Sequence, residues 1–405
     1  MRILVVSQYF WPENFRVNDL VAEWMSRGHG VTVLTGLPNY PDGRVFPGFH
    51  ADPLRFAEYA GAPVVRVPML PRGEGGLQLA LNYASFALSA CLIGAWRLRG
   101  RKFDVIFVFE PSPVTVGLPA VLQRRLKRAP VAFWVLDQWP ETLVAVGATR
   151  SKWVLSAVGR LVSFIYRRCD LLLAQSRSFI PQIRRYAGVR PRVEYLPSWS
   201  DSTPAAGHAA PAPEVPPLPG VFTVLFAGNI GDAQDFPAIL DAAERIKHRT
   251  DIRWIIVGDG RRAEWVASEA QRRGLTERFI LLGRFPLERM PSFFEIADAL
   301  LVSLRPDPIF AMTIPGKVQS YLAAGRPLLG MLDGEGAELL ERGGAGLVCR
   351  AGDSAGLAAN VARLADTPAD ERAAMAARAT ELSANEFDRD RLMGRLDRWL
   401  GELSL

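Results

Sequence analysis

The fold is decided by the stretch Phe222-Thr-Val-Leu-Phe-Ala-Gly228-Asn-Ile-Gly231-Asp-Ala-Gln234. Its first half is apolar and rich in aromatic and β-branched residues, which predicts a buried strand. Two glycines then mark a tight turn, and apolar residues at helical spacing predict a helix from Ala238 to Ile246. A strand followed by a short turn and a helix is the repeating unit of parallel sheets with crossover helices. The stretch therefore predicts an α/β fold.

The same alternation continues on both sides of this stretch. Before it, short apolar runs predict strands near residues 2–7, 31–35, 64–67, 104–109, 131–136, 171–174 and 192–196. After it, strands are predicted near residues 253–257, 278–281, 299–302, 328–330 and 346–349. Helical patterns separate the strands, so each half has the pattern of a Rossmann-like domain.

Chain length and one segment rich in proline and alanine predict two domains. A chain of 405 residues exceeds the size at which a single core usually stops growing. We expect an N-terminal domain at residues 1–199, a linker at 200–220 and a C-terminal domain at 221–384. Residues 385–405 predict a terminal helix, which either caps the second domain or packs back on the first.

The composition is that of a globular protein, with 49% hydrophobic and 22% charged residues. The three cysteines form no CxxC pair and the four histidines lack metal-ligand spacing, so we expect no bound metal and no cofactor. Met1 leads directly into an apolar strand, which predicts no secretion signal and a cytoplasmic location. A net charge of +6 favours anionic partners. Nucleic acid is the least expected of these, because no nucleic-acid-binding motif is present.

Two segments raise the question of a membrane. Residues 75–96 carry no charge and are long enough to span a bilayer, but a span would separate the predicted strands 2–7 and 104–109. We therefore expect a domain helix that is buried or partly faces a membrane. The basic amphipathic helix from Lys152 to Arg168 fits an ordinary surface helix and membrane docking equally well.

Candidate site residues lie in the loops that follow the strands, because ligands of open parallel sheets bind beyond the carboxyl ends. Glycines at Gly228–Gly231 and Gly258–Gly260 fit phosphate-binding turns and ordinary tight turns alike. Gly283-Arg284-Phe285 fits a nucleobase site or a plain connection. Lys317 follows Pro315 in the first turn of a predicted helix, where a cation opposes the helix dipole unless an anion is near. Lys317 is therefore the leading phosphate-binding candidate, against a solvated helix residue.

At these residues the chain resembles the retaining family-4 glycosyltransferases of the GT-B fold, and most nearly the bacterial O-antigen and capsule enzymes similar to fucosaminyltransferases. The resemblance covers nearly the whole chain and implies two Rossmann-like domains that face each other across a cleft. It rests on the order and spacing of short motifs: Ser7-Gln-Tyr-Phe-Trp-Pro-Glu, Arg27-Gly-His-Gly-Val-Thr-Val, Asp137-Gln-Trp-Pro-Glu, Phe226-Ala-Gly-Asn-Ile-Gly, Val257-Gly-Asp-Gly and Pro315-Gly-Lys through Ala324-Gly-Arg-Pro.

The family implies transfer of a sugar, here an N-acetylated deoxyhexosamine such as L-FucNAc, from a nucleotide-diphosphate donor. The acceptor implied is a polyprenyl-diphosphate-linked glycan of O-antigen, capsule or exopolysaccharide synthesis, at the inner face of the cell membrane. UDP is favoured over GDP only by the subgroup. The resemblance also implies no metal, and a reaction on one face in which the departing phosphate helps to deprotonate the acceptor hydroxyl.

The resemblance assigns the donor to the C-terminal domain and the acceptor to the N-terminal domain. The implied donor-binding residues are Arg16, Gly228, Asn229, Gly231, Gln234, Gly258, Gly260, Gly283, Arg284, Phe310, Thr313, Ile314, Pro315, Gln319 and Ser320. The implied acceptor-binding residues are Asn14, Asn39, Tyr40, Trp139 and Glu141. The predicted catalytic residues are Lys317 and Asp137. Asp137 either orients an acceptor hydroxyl or caps a helix together with Glu141.

The chain departs from the family in its charged residues. Many members carry two glutamates eight residues apart, and Met312 and Ser320 stand at those positions here. Gln319 or Ser320 is then expected to contact the ribose. The basic residues often found after the first strand of the second domain are absent from 228–235, so backbone amides, Lys317 and Arg16 must meet the phosphate charge. Two other functions therefore stay open: a nucleotide-sugar 2-epimerase and a catalytically silent nucleotide-sugar-binding module.

Overall fold

The chain folds into two compact units in a computed structural model. Unit 1 comprises Met1–Leu196 with Gly394–Leu405, and unit 2 comprises Pro197–Met393. The structure describes residues 1–404 apart from Asp42, Glu74, Val146 and 201–208. Part of the predicted linker thus lies outside the described residues.

Unit 1 is built on one sheet whose strands are all parallel except at one edge. Its strands are β1 (Arg2–Val6), β2 (Gly30–Thr35), β3 (Glu58–Tyr59), β4 (Ala62–Arg66), β5 (Val105–Glu110), β6 (Val131–Val135), β7 (Leu171–Ala174) and β8 (Arg192–Tyr195). Their order is β3-β4-β2-β1-β5-β6-β7-β8, and only β3 is antiparallel to its neighbour. The edge strand β3 was not predicted, because two residues are too few to show a periodicity.

Helices cover this sheet with their apolar faces. The helices before the interunit boundary are α1 (Arg16–Ser26), α2 (Gly76–Ser89), α3 (Ala95–Arg97), α4 (Gly117–Lys127), α5 (Glu141–Ala145), α6 (Lys152–Tyr166) and α7 (Ile180–Ala187). The helix predicted over 75–96 is not regular, because a π-helical turn at Ala90–Gly94 separates α2 from α3. Gly94 lies in this turn, where an added Cβ would come within 3.0 Å of Leu34 Cδ1.

The segment Gly76–Arg97 is long and apolar enough to cross a membrane, with a mean hydropathy of 1.5. However, β1 before it and β5 after it are neighbours in one sheet, with Val5 opposite Phe107. Both ends of the segment therefore return to the same sheet, as expected for a domain helix. Much of the helix is nevertheless exposed, because only 28% of its most apolar window is buried.

Unit 2 contains a six-stranded, fully parallel sheet. Its strands are β9 (Phe222–Ala227), β10 (Ile252–Val257), β11 (Phe279–Gly283), β12 (Ala299–Ser303), β13 (Leu328–Met331) and β14 (Gly346–Cys349), in the order β11-β10-β9-β12-β13-β14. Its helices are α8 (Phe236–Arg245), α9 (Ala263–Arg272), α10 (Met290–Glu295), α11 (Pro308–Ala311), α12 (Gly316–Ala323), α13 (Glu335–Gly343), α14 (Ser354–Asp366) and α15 (Ala369–Phe387). Apolar cores fill both faces of the sheet. The two parallel-sheet α/β domains predicted from the sequence are confirmed.

The last helix, α16 (Arg389–Ser404), packs on unit 1. Its Asp397 accepts hydrogen bonds from Trp24 Nε1 at 2.8 Å and from Arg27 at 3.2 Å. The terminal helix expected at residues 385–405 begins at Arg389, because residues 385–387 are the end of α15. The chain is extended at Asp388, whose carboxylate accepts the Arg391 amide at 2.8 Å and so starts a new helix.

Candidate functional site

The carboxyl edge of the unit 2 sheet has the geometry of a ligand site. The strand order reverses between β9 and β12, and ligands of such sheets bind beyond the strand ends at this point. The loops that follow β9, β10 and β11 are joined there, since the Gly228 amide donates to Val257 O and the Gly258 amide donates to Gly283 O at 2.7 Å. Three of the predicted glycines therefore form one continuous loop surface.

Gly228 and Gly258 let two backbones approach more closely than side chains allow. Their φ angles are 139° and 142°, a region that L-residues rarely adopt. A Cβ added to Gly258 would lie 1.8 Å from the carbonyl oxygen of Gly228. Only glycine fits at Gly258, and the loop edge is bare backbone as a result.

Lys317 lies directly beside this loop. Its Nζ atom would be 2.8 Å from a Cβ on Gly228, lies 3.4 Å from the ring centroid of Phe226, and is sealed from solvent. Among the described residues it has no hydrogen-bond partner. Burial lowers the pKa of Lys317 to about 7. The site thus holds a buried amino group with no anionic partner in the part of the chain that the structure describes.

Tyr321 fixes the helix that carries Lys317. Its hydroxyl accepts the Ala227 amide at 2.8 Å and donates to the Ala227 carbonyl at 3.0 Å, at the end of β9. Residues four apart share a helix face, so this pair of bonds also directs Lys317 toward the β9 loop. Lys317 thus contacts the first glycine loop, while its predicted role toward a phosphate stays a prediction.

The other predicted residues of the β9 and β10 loops maintain loop structure. The side-chain oxygen of Gln234 accepts the Gly231 amide at 3.1 Å, and Asn229 lies 3.5 Å from the same oxygen. Gly260 approaches the loop after β9 so closely that an added Cβ would lie 2.4 Å from the carbonyl oxygen of Ile230. Their donor-binding roles stay predictions.

The segment before α12 is divided between surface and core. Ile314 is buried in the apolar core, Thr313 donates its hydroxyl to Ile309 O at 2.7 Å, and Pro315 precedes the first helical residue. Phe310 lies under the Arg305 guanidinium, 5.6 Å from it. Because Ile314 is buried, its side chain is not available to a ligand, and its donor-binding role stays a prediction.

Gln319 and Ser320 lie on α12, and Arg284 follows β11 on the exposed rim. Gln319 is almost completely buried, yet within the described chain neither amide atom of its side chain has a hydrogen-bond partner. Buried amides are normally paired, so Gln319 is a second polar group in unit 2 without its partner. Arg16, the remaining donor candidate, begins α1 in unit 1.

In unit 1, Asp137 organises the loop after β6. Its carboxylate accepts the Gln138 amide at 2.9 Å, the Trp139 indole at 3.1 Å and the Thr142 hydroxyl. Burial raises the pKa of Asp137. These bonds hold the loop, and none of the three comes from a backbone amide of α5, so the capping and catalytic roles of Asp137 both stay predictions.

A second carboxyl group, Glu110, lies behind Asp137 and was missed by the sequence reasoning. It ends β5, is fully buried, and accepts the Asp137 amide at 3.4 Å. Burial, and then the charge of Asp137, raise the pKa of Glu110 well above its ordinary value. Glu141, by contrast, accepts bonds from Gln182 and from the Tyr186 hydroxyl at 3.1 Å, and so ties α5 to α7.

Glu13 holds the loop that contains Asn39 and Tyr40. Its carboxylate accepts the backbone amides of Asn39 at 2.7 Å, Tyr40 at 2.6 Å and Phe10 at 3.1 Å. Burial raises the pKa of Glu13 to about 7 although these amide bonds oppose the shift. The Asn39 side chain is likewise used internally, because it donates to Leu37 O and accepts the Arg72 amide.

Aromatic residues line the carboxyl edge of this sheet. Tyr9 stacks on Phe15 with ring centroids 5.4 Å apart, and Tyr40 packs against both rings. Asn14 is exposed on the same loop. Trp139 meets Tyr83 of α2 edge to face at 6.3 Å. Of the predicted acceptor residues, Tyr40 and Trp139 therefore belong to the aromatic surface, whereas Asn39 and Glu141 are committed to structural bonds.

Two family models match the chain and together span most of it. Residues 14–199 match the glycosyl transferase 4-like domain, and residues 221–367 match the glycosyl transferases group 1. The chain belongs to the family-4 glycosyltransferases of the GT-B fold.

Some relatives of this glycosyltransferase are named for bacterial polysaccharide synthesis. It is 26% identical over 345 residues to WcaI of Escherichia coli K12, a glycosyl transferase assigned to colanic acid biosynthesis, and the match covers 80% of this chain and 82% of WcaI. Its fold is similar to that of Anabaena HepE in complex with UDP and glucose, with 15% identity, a TM-score of 0.67, and coverage of 99% and 100%. WaaG, a glycosyltransferase involved in lipopolysaccharide biosynthesis, gives 12% identity, a TM-score of 0.67, and 99% coverage of both chains.

The glycosyltransferase keeps the glycine loops and lysine of the motif that the sequence indicated, but not its glutamate pair. Met312 follows α11 and Ser320 lies on α12, so neutral groups occupy both positions. Gln319, unpaired beside Ser320, is the polar group nearest in sequence to the missing second glutamate. Within the described residues, no group of three or more His, Cys, Asp or Glu side chains is arranged to hold a metal.

Proposed function

We propose that this enzyme moves a sugar, with retention of configuration, from a UDP-linked donor to a lipid-linked glycan during synthesis of a bacterial envelope polysaccharide. The observation that carries the proposal is the amino group of Lys317, which is buried beside the bare backbone of Gly228 and has no hydrogen-bond partner among the described residues. A donor diphosphate there gives the amino group its missing anion, and charge-assisted bonds of this kind are the strong ones. The adjoining N-terminus of α12 adds further attraction for negative charge.

Transfer on one face needs stabilisation of the leaving group more than it needs a nucleophile. The bond between the anomeric carbon and the diphosphate breaks, the acceptor oxygen bonds to that carbon, and the acceptor proton passes to the departing phosphate. Lys317 and the loop amides stabilise the charge that develops on the diphosphate. This scheme requires no carboxylate at positions 312 and 320, which fits Met312 and Ser320.

UDP is supported by the likeness to HepE, which was solved with UDP and glucose, although that likeness concerns the fold alone. The N-acetylated deoxyhexosamine, such as L-FucNAc, is supported only by motif resemblance. The first test is thermal unfolding of the full chain with UDP, GDP, ADP, dTDP and CMP. At 100 times its dissociation constant a nucleotide stabilises by about 2.7 kcal/mol. A selective shift with UDP is expected, whereas no shift with any nucleotide would contradict the donor assignment.

A lipid-linked acceptor is supported by two exposed surfaces of unit 1. The segment α2 to α3 exposes Leu77, Leu81, Leu88, Leu92 and Trp96. Helix α6 exposes Trp153 and bears Arg160 close to Arg167 and Arg168. Helix α4 packs against both α2 and α6, so the two surfaces belong to one helical layer. Apolar side chains next to arginines suit the surface of an anionic membrane.

Vesicle binding tests this second half of the proposal. We expect the chain to cosediment with vesicles of phosphatidylglycerol and phosphatidylethanolamine, and less with phosphatidylcholine alone. Leu88→Glu with Leu92→Glu should abolish binding, because two charges must enter the apolar layer. Leu287→Glu is the matched control, since Leu287 is exposed to a similar degree (61%) but lies in unit 2. Equal sedimentation of the double variant would exclude this surface.

A further inference from the structure

Arg72 is a basic residue of unit 1 in the loop between β4 and α2. It forms no salt bridge within the described residues, and its side chain instead meets tyrosines. Its guanidinium donates to the Tyr9 hydroxyl at 3.4 Å and lies 5.4 Å from the centre of the Tyr40 ring. Tyr83 also lies close to Arg72 and to Ser112, which follows β5.

The backbone of Arg72 is held by the neighbouring loop. The Arg72 amide donates to Asn39 Oδ1 at 2.8 Å. Asn39 belongs to the loop that Glu13 holds through the amides of residues 39 and 40. The arginine is therefore held in place without neutralising its charge.

Two carboxylates near this cluster already bind other groups. Burial, and also the charge of Asp137, raise the pKa of Tyr83, but both Asp137 oxygens accept bonds from the loop after β6. Glu13 bonds three backbone amides. An arginine that lies among hydroxyl groups, near carboxylates that already accept other bonds, is suited to bind a phosphate. The phosphate oxygens accept hydrogen bonds from the planar set of N–H donors of the guanidinium.

The helix that borders this cluster also borders the apolar surface. Asn82 and Tyr83 of α2 face the cluster, where Asn82 accepts Gln8 Nε2 at 2.8 Å, while Leu81 and Leu88 of the same helix are exposed. One helix thus has an anion-binding side and a lipid-compatible side. A prenyl diphosphate has both properties, an anionic head and an apolar chain.

We propose that Arg72, which lies beside Tyr9 and Tyr83, binds a phosphate of the lipid-linked acceptor. This inference rests on the proposed function. The donor diphosphate offers the same chemistry, and the experiment below separates the two sources.

The test is calorimetric titration of the full chain with geranyl diphosphate, geraniol and UDP. Arg72→Gln should weaken binding of geranyl diphosphate about tenfold or more, the effect of losing hydrogen bonds from a charged group, and leave UDP binding unchanged. Arg72→Lys keeps the charge but not the planar guanidinium, so it should show a smaller loss of affinity. This variant replaces Arg72→Gln in the test if Arg72→Gln does not fold. Arg55→Gln, an exposed arginine of unit 1 near Phe56, is the control and should match the parent.

Three results would overturn the inference: no binding of geranyl diphosphate by the parent chain, equal binding by Arg72→Gln, or a loss of UDP in place of geranyl diphosphate. Geraniol bound as tightly as its diphosphate would also overturn it. If the parent chain does not bind UDP but binds geranyl diphosphate through Arg72, the donor proposal is refuted and the proposed phosphate site at Arg72 is supported.

Discussion

The amino group of Lys317 lies 3.4 Å from the centre of the Phe226 ring, and the ring is its main neighbour of opposite electrostatic character. Such a cation–π contact stabilises a charge less than a salt bridge with an anion would in a buried site. The contact therefore leaves the amino group able to pair with an anionic ligand. The amino group is also shielded from solvent.

Replacing this lysine should weaken the donor and not the fold. We expect Lys317→Ala to reduce UDP affinity by about 1.5 to 3 kcal/mol, the range for a hydrogen bond to a charged group, as measured by calorimetry. Lys317→Met should leave the melting temperature of the free protein unchanged or higher, because it removes a buried cation without a partner. Lys247→Ala, on the exposed surface of unit 2, is the control. Unchanged UDP affinity in Lys317→Ala would remove Lys317 from the site.

UDP affinity should fall as pH rises above about 7. The free enzyme holds the pKa of Lys317 near 7, so above that pH the amino group is mostly neutral and must take up a proton to pair with the diphosphate. The loss approaches tenfold per pH unit at most. Titrations between pH 7.5 and 9.5 measure it. Lys317→Met corrects for titration of the nucleotide itself and should give a flatter profile; parallel profiles would show that Lys317 is not coupled to UDP.

Two glycines at the same sheet edge should respond differently to alanine. Gly258→Ala places a Cβ 1.8 Å from a backbone oxygen, whereas an added Cβ at Gly283 meets nothing within 4 Å. Both have positive φ, so Gly283→Ala should cost only the backbone term of about 1–2 kcal/mol. Gly258→Ala should lower the melting temperature further and weaken UDP binding. Equal stability of the two variants would argue against the close loop contact.

The sequence was sufficient for the sheets and for part of the site. Strands such as β9 and β13 are short apolar runs between turns, and their positions follow from local pattern alone. The contact between Lys317 and the Gly228 loop also follows, because parallel strands bring their following loops to one edge. The local sequence pattern was therefore enough to predict which residues lie at the ends of strands.

The sequence was not sufficient where distant segments determine a role. Nothing local to Glu13 indicates that it binds amides at residues 39 and 40, and Glu110 looks like the polar end of a strand until Asp137 is placed beside it. Arg72 lies in a stretch without periodicity, and only the fold brings Tyr9 and Tyr83 to it. The one available signal was an arginine close to the polar residues of an otherwise apolar helix.

Glu110 should make stability depend on pH. Its pKa is higher in the folded chain than in the unfolded one, so the folded state binds more protons and loses stability as pH rises above the ordinary glutamate pKa. Glu110→Gln removes this titration. We expect its melting temperature, relative to the parent, to rise between pH 5 and pH 8. Glu264→Gln, exposed on α9, should show no such trend, and a parent-like profile for Glu110→Gln would mean that Glu110 does not titrate in this range.

Asp137→Asn should separate the two roles that remain open for this residue. An amide has one acceptor oxygen where the carboxylate uses two, so at least one bond to Gln138, Trp139 or Thr142 is lost, at a cost of about 1–3 kcal/mol. We expect turnover to fall while UDP affinity, assigned to unit 2, stays unchanged. Thr142→Val is the matched variant, because it removes one donor and keeps the carboxylate. If both variants lose turnover in proportion to stability, Asp137 acts by holding the loop; if Asp137→Asn loses far more turnover than Thr142→Val at equal stability, its carboxylate acts on the acceptor hydroxyl.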